Sequence, residues 1–118
     1  MSEIKNLTDK LLVFRKERDW EQFHNPKDMA LSLTLEATEV LEHFQWKNGE
    51  VLEQYVTDHK EYLGEELADV LYWVLLMSHD LDIDIKQAFE AKMLKNEVKY
   101  PVNKAKGRHD KYNKLQND

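Results

Sequence analysis

The chain contains no cysteine, and only three glycines and two prolines occur in its 118 residues. Without cysteine there is no disulfide framework and no thiolate chemistry, and a reducing cytoplasm suits such a chain. The scarcity of glycine and proline leaves few points at which a helix must end. The composition therefore predicts a cytoplasmic protein built from largely uninterrupted helices.

Long apolar stretches are also missing. The longest run, Val70–Met77, is far too short to span a bilayer, which takes about 20 residues. Residues 1–20 lack the apolar segment of a signal peptide. The sequence therefore predicts a soluble protein without a membrane partner.

Positive charge is concentrated near the C-terminus, although the formal net charge of the whole chain is −6. An acidic body lacks the basic face that nucleic-acid phosphates require, so we expect no nucleic-acid partner. The length fits one domain. We assign the domain to residues 1–101 and a polar, basic tail to residues 102–118, which we expect to be irregular or ordered only against a partner subunit.

Apolar residues recur at spacings of three and four almost throughout, which predicts an all-α bundle of four to five helices and no sheet. The local capping signals are Asn25 before Pro26, Asp58 with Glu61, and Asp84 with Gln87. The predicted helices are about Glu3–Trp20, a second from Asn25-Pro26 to Phe44, a short piece at Glu50–Val56, a third main helix from Asp58 to Ser78, and a fourth from Asp84 that ends before Pro101.

Two segments share one pattern of acidic and apolar residues. They are Leu33-x-x-Glu36-Ala37-x-Glu39-Val40-Leu41 and Leu63-x-x-Glu66-Leu67-x-Asp69-Val70-Leu71. Acids three residues apart project from the same side of a helix. The four carboxylates of Glu36, Glu39, Glu66 and Asp69 could therefore converge if the two helices pack antiparallel.

These acids lie between apolar stripes, and the third main helix is apolar nearly all round from Leu67 to Met77, which predicts that it is largely buried. Buried carboxylates must be neutralised, paired or bound to metal. Salt bridges to lysines across the bundle are the simpler alternative. Without cysteine or a suitably placed histidine, oxygen ligands favour Mg²⁺, with Mn²⁺ as a possible substitute. A di-iron bundle would need Glu-x-x-His, which these helices lack.

Carboxylate-bound Mg²⁺ is usually shared with substrate phosphates, so the pattern indicates phosphate chemistry. The sequence contains no Gly-x-x-x-x-Gly-Lys-Ser/Thr motif. Any bound phosphates must therefore be held by metal and by scattered basic or amide groups.

Further motifs make the resemblance to a known family specific. They are Arg18-Asp19-Trp20-Glu21-Gln22-Phe23-His24, Phe44-Gln45-Trp46, Glu65-Glu66-Leu67-Ala68-Asp69-Val70 and Lys92-Met93-x-x-Asn96-x-x-x-Tyr100-Pro101. With these motifs the chain resembles the MazG-like all-α nucleoside triphosphate pyrophosphatases, most nearly their dCTP pyrophosphatase branch. The likeness extends from the first helix to Lys111-Tyr112.

The resemblance implies a function for each motif. It implies that Glu36, Glu39, Glu66 and Asp69 hold Mg²⁺, and we assign to Glu36 the orientation or deprotonation of the attacking water. It implies a base pocket of Trp20, His24 and Trp46, with Lys92 and Asn96 near the phosphates or sugar. It also implies a homotetramer, a dimer of dimers with sites shared between subunits.

Two positions depart from the pattern expected of the dCTP branch. Trp73 stands where a tyrosine is expected, and Leu11 replaces a histidine. Trp73 belongs either to the base pocket or to the core, and the identity of the base is less certain as a result. Burying three tryptophans in one small bundle would be difficult, which independently favours association.

The sequence thus predicts a Mg²⁺-dependent hydrolase that converts a nucleoside triphosphate, dCTP or a modified dCTP, to the monophosphate and pyrophosphate, and so clears unwanted nucleotides. One alternative is a non-catalytic helical interaction module whose acids are merely solvated or salt-bridged. Another is a related pyrophosphatase acting on dUTP or a phosphoribosyl-ATP intermediate.

Overall fold

The computed structural model describes residues 2–115, whose regular structure is entirely helical. The predicted all-α class is confirmed. The elements are α1 (Glu3–Glu17), a 3₁₀ turn (Glu21–Phe23), α2 (Pro26–Phe44), α3 (Gly49–Asp58), α4 (Lys60–Asp80), α5 (Ile85–Lys99), α6 (Val102–Ala105) and α7 (Tyr112–Leu115). None of the helices in this part of the chain combines the length and apolar character needed to cross a membrane.

Two of the predicted helix caps form as expected. The Asn25 side chain accepts a hydrogen bond from the backbone N–H of Asp28 at 2.9 Å, with Pro26 as the first residue of α2. Asp84 caps α5 by accepting from the backbone N–H of Gln87 at 3.1 Å. Both caps satisfy backbone donors that the first turn of a helix leaves without partners.

The predicted cap at Asp58 is wrong. α3 continues to Asp58, whose carboxylate accepts a hydrogen bond from the Gln54 side chain one turn earlier, at 2.9 Å. The backbone leaves helical geometry at His59, with φ −121° and ψ 23°, and α4 begins at Lys60. A side-chain bond within α3 therefore keeps Asp58 helical, and the break falls one residue later.

The first helix is also shorter than predicted. α1 ends at Glu17, and Asp19 adopts a left-handed backbone with φ 53°. The N–H of Trp20 reaches the carbonyl of Arg15, and the N–H of Asp19 reaches that of Lys16. This pair of hydrogen bonds is the Schellman termination, with aspartate in the position that glycine usually takes.

α4 is the central helix of the first compact unit, which ends at Ile83. α2 packs most extensively on it, and α1 and α3 also contact it. The buried apolar side chains of this unit are Met29, Leu75 and Leu76. The prediction that α4 is largely buried from Leu67 to Met77 is wrong in part for a single chain, because Leu67 and Leu71 are exposed while the stretch from Tyr72 to Met77 is buried or half-buried.

A second compact unit begins at Asp84 and contains α5, α6 and α7. Within it the Tyr112 ring lies edge-on to Tyr100, with Lys99 Nζ 4.9 Å from its centroid. The expectation that the tail from residue 102 is irregular is therefore wrong in part, since it forms two one-turn helices. Residues 116–118 of that tail lie outside the described residues, and the domain boundary after residue 101 stays a prediction.

Candidate metal centre

The two acidic pairs converge where α2 packs on α4. One carboxylate oxygen from each of the four side chains lies within 4.8 Å of the other three. The four residues are Glu36 and Glu39 on α2, and Glu66 and Asp69 on α4. The expected convergence of the two pairs is confirmed, while their binding of a metal stays a prediction.

The cluster has too few positive partners to neutralise it. No lysine of residues 2–115 forms a salt bridge with any of the four acids. Oε2 of Glu36 and Oε2 of Glu66 are buried, and no N–H or O–H group of the described residues donates to them. The alternative of lysine salt bridges across the bundle is therefore wrong, because the buried oxygens still lack a donor or cation.

Crowding of like charges shifts the acids toward their protonated forms. Burial, a hydrogen bond shared with Glu39 and the charges of the other three acids raise the pKa of Glu36 to about 7. The pKa of Glu66 is also raised, first by a proton shared with Glu39 and then by burial, while His43 opposes the rise. A divalent cation would relieve this repulsion, and an all-oxygen set of this size fits a hard ion such as Mg²⁺.

A histidine that sequence reasoning missed lies at the edge of the cluster. His43 Nε2 is 3.5 Å from Glu66 Oε1, and His43 Nδ1 is 2.6 Å from the Tyr55 hydroxyl. His43 does not belong to the candidate ligand group, so the prediction of an all-carboxylate set stands beside a histidine that contacts one of its members. The signal was available, because His43 follows Glu39 by four residues and so shares its helix face.

A cavity of about 420 Å³ opens beside the cluster. Its lining is mostly polar, and residues of α2, α3 and α4 contribute to it. The lining residues are Glu39, Glu42, His43, Tyr55 and Glu66.

The structure joins only some of the residues predicted for the base pocket. The rings of His24 and Trp73 meet edge-on, with centroids 5.4 Å apart. Trp20 instead packs edge-on against Phe14, at 5.6 Å. Trp46 is 90% exposed and makes no ring contact with the described residues. The single chain therefore places Trp73 beside His24, while the pocket role of all four residues stays a prediction.

His24 also lies beside an ion pair whose arginine is buried. Arg15 is 3% exposed and makes two hydrogen bonds to the Asp80 carboxylate, at 2.7 and 2.9 Å, which tie α1 to the end of α4. The Arg15 guanidinium is also 3.4 Å from His24 Nδ1. Burial, and then the charge of Arg15, lower the pKa of His24. Both effects favour the neutral imidazole of His24.

Lys92 and Asn96 both lie on α5, in the second compact unit. Asn96 is half-buried and Lys92 is exposed. Their predicted place near the phosphates or sugar stays a prediction, as does the role of Glu36 toward water.

Comparison with known proteins identifies the family. The MazG-like family matches residues 31–115. The dCTP pyrophosphatase 1 proteins of Mus musculus and Homo sapiens are 39% and 38% identical to the chain over 104 residues, which make up 86% of the chain and 61% of each relative. The chain therefore belongs to the MazG-like family, and it spans about three fifths of the length of these curated relatives.

A solved structure gives the same result for the fold. A pyrophosphatase from Archaeoglobus fulgidus is 37% identical to the chain and superposes with a TM-score of 0.80. The superposition covers 86% of this chain and 94% of the archaeal one. The resemblance noted from the sequence motifs is confirmed.

Proposed function

We propose that the protein is a Mg²⁺-dependent nucleoside triphosphate pyrophosphohydrolase that converts dCTP, or a modified dCTP, to dCMP and pyrophosphate. The observation that carries this proposal is the convergence of four carboxylates within 4.8 Å, with two buried oxygens that no donor of residues 2–115 satisfies. Relatives named dCTP pyrophosphatase 1 and pyrophosphatase support it.

The chemistry assigned to the site is attack of water on the α-phosphorus. The new bond joins the water oxygen to that phosphorus, the bond to the α–β bridging oxygen breaks, and pyrophosphate leaves. Glu36 is assigned to orient the water or to accept its proton, as a carboxylate within hydrogen-bond reach of a reacting water can do. Mg²⁺, or Mn²⁺ in its place, supplies charge stabilisation to the phosphates when bound.

The base is assigned to aromatic side chains, of which Trp73 follows Asp69 by four residues on α4. His24 and Trp73 offer one wall, and the neutral imidazole can exchange a hydrogen bond with a base edge. Trp20 and Trp46 supply further stacking surface. Lys92 and Asn96 contact the phosphates or sugar in this proposal.

The products of dCTP hydrolysis test which bond breaks. With Mg²⁺ and dCTP, phosphorus NMR is expected to show dCMP and pyrophosphate in equal amounts and no early orthophosphate. Primary formation of dCDP and orthophosphate would contradict the proposed geometry. A panel with dUTP and phosphoribosyl-ATP separates the related activities, and absence of turnover on every substrate together with no Mg²⁺ effect on melting would favour the non-catalytic module.

We also propose that the protein is a homotetramer whose sites are shared between subunits. Several apolar side chains of α2 and α4 are exposed in the single chain, and Trp46 has no covering neighbour there. The exposed leucines of these helices are Leu31, Leu35, Leu41, Leu67 and Leu71. Burial of such surface would stabilise an assembly.

Light scattering coupled to gel filtration is expected to give about four times the mass of the 14.1 kDa chain. The control is the same measurement across a tenfold dilution, which separates a stable assembly from a weak one. A fully active monomer would contradict the shared site.

A further inference from the structure

The Glu66 carboxylate has different surroundings on its two oxygens. Oε1 is 3.5 Å from His43 Nε2, whereas Oε2 is buried and no group in the described part of the chain donates to it. A carboxylate with a polar neighbour at ion-pair distance from one oxygen can present its other oxygen to a cation. The group beside Oε1 can therefore influence how Oε2 is presented.

Hydrogen bonding determines which nitrogen of His43 carries its proton. At 2.6 Å, His43 Nδ1 and the Tyr55 hydroxyl share a short hydrogen bond. If Nδ1 accepts from the phenol, the neutral imidazole carries its proton on Nε2, which faces the carboxylate. The opposite arrangement would set the Nε2 lone pair against a carboxylate oxygen. The first arrangement is favoured because it gives both ring nitrogens complementary partners.

Tyr55 is itself fixed in place. Its ring stacks on His59 with centroids 3.9 Å apart and an interplanar angle of 14°, and Lys47 Nζ lies 4.4 Å from its centroid. His59 Nδ1 donates to the Tyr55 carbonyl at 2.9 Å. Lys47, which precedes α3, and His59, which follows it, therefore hold the Tyr55 ring in place. The Tyr55 hydroxyl is then in a position to fix the plane of the His43 ring.

We propose that His43, fixed by Tyr55, is a positioning residue that orients Glu66 for cation binding at the four-carboxylate cluster. This inference rests on the proposed function only in taking the cluster to be a metal site. His43 lies on α2 and Tyr55 on α3. Their hydrogen bond makes α3 part of the site, although α3 carries none of the four carboxylates. Groups that hydrogen-bond to metal ligands in this way tune metal affinity by restricting the ligand's rotation.

The test measures binding of Mn²⁺ alone to the full chain, without nucleotide, from the electron paramagnetic resonance signal of the free ion. His43→Leu is expected to weaken binding roughly 10-fold or more, as for other groups that support metal ligands. His43→Gln should restore most of the affinity, because its amide nitrogen can occupy the place of Nε2 and donate to Glu66. Tyr55→Phe keeps the stacked ring but loses the hydroxyl, so its affinity should fall between the two.

His79→Leu is the matched control, since it makes the same change at an exposed histidine of α4. Unchanged Mn²⁺ affinity in His43→Leu would overturn the proposal, and so would equal loss in His43→Leu and His43→Gln. If His43→Leu fails to fold, Tyr55→Phe decides, because unchanged affinity in that variant also overturns it.

Failure of the proposed function has a different signature. Loss of Mn²⁺ affinity in His43→Leu and its recovery in His43→Gln would support the positioning role even if dCTP were not hydrolysed. Absence of Mn²⁺ binding in the unchanged protein would overturn both the metal site and this inference.

Discussion

Changing Glu39 to glutamine or Asp69 to asparagine is expected to lower turnover by on the order of 10³-fold, which corresponds to about 4 kcal/mol of lost transition-state stabilisation. Each substitution removes a charged oxygen from a cluster whose oxygens lie within 4.8 Å of one another. The amides are similar in size to the acids, so the packing of α2 on α4 should survive. The effect should therefore be on metal binding and not on folding.

Steady-state pyrophosphate release with saturating Mg²⁺ measures this loss, and far-ultraviolet circular dichroism checks the helical content. Glu65→Gln is the matched control, because Glu65 is next to a cluster residue on α4 but does not belong to the cluster. That control should retain nearly full activity. Activity close to that of the unchanged protein in both Glu39→Gln and Asp69→Asn would remove these residues from the mechanism.

The same cluster should make metal-free stability depend on pH. The pKa of Glu36 is about 7 in the folded chain, above its ordinary value, so the folded state holds a proton that the unfolded state has already released. Stability is therefore greatest below the unfolded pKa and falls as pH rises through about 7. Glu36→Gln should flatten this decline in a melting-temperature series without Mg²⁺, and an equally steep decline in that variant would contradict the assignment.

Much of the fold could be predicted because its signals are local. Asn25 and Asp84 form their caps with residues three positions later, and such hydrogen bonds need no tertiary partner. The break at His59 could not be located, because both Asp58 and its neighbours can remain helical. The position of the break depends on the hydrogen bond from the Gln54 side chain to Asp58 and on the packing of α3 against α4.

The candidate site also combines features that the sequence predicts with features that it does not. The acidic pairs could be predicted from their spacing on a helix, since acids three residues apart share a face. The partner of His43 could not, because Tyr55 reaches it from another helix. Trp46 shows the limit of motif reasoning: its side chain is 90% exposed in the single chain, so only a ligand or a further surface can give it a binding role.

Replacing Arg15 with leucine is expected to lower the free energy of unfolding by about 2 kcal/mol, because the charge-assisted hydrogen bonds between α1 and α4 are lost. Arg15 is almost fully buried and holds Asp80 through two hydrogen bonds. Asp80 is the last residue of α4, where the negative end of the helix dipole already disfavours a carboxylate. Without Arg15, the Asp80 carboxylate loses the salt bridge that the described residues give it.

Urea unfolding at fixed protein concentration measures this loss, because any assembly makes stability depend on concentration. Lys5→Leu is the control on the same helix, since Lys5 and Asp9 form an exposed pair expected to contribute less than about 0.5 kcal/mol. Adding Asp80→Asn to Arg15→Leu should recover part of the stability, because the carboxylate at the C-terminal end of the helix dipole of α4 is then removed. If Arg15→Leu costs no more than Lys5→Leu, the ion pair does not hold α1 on α4.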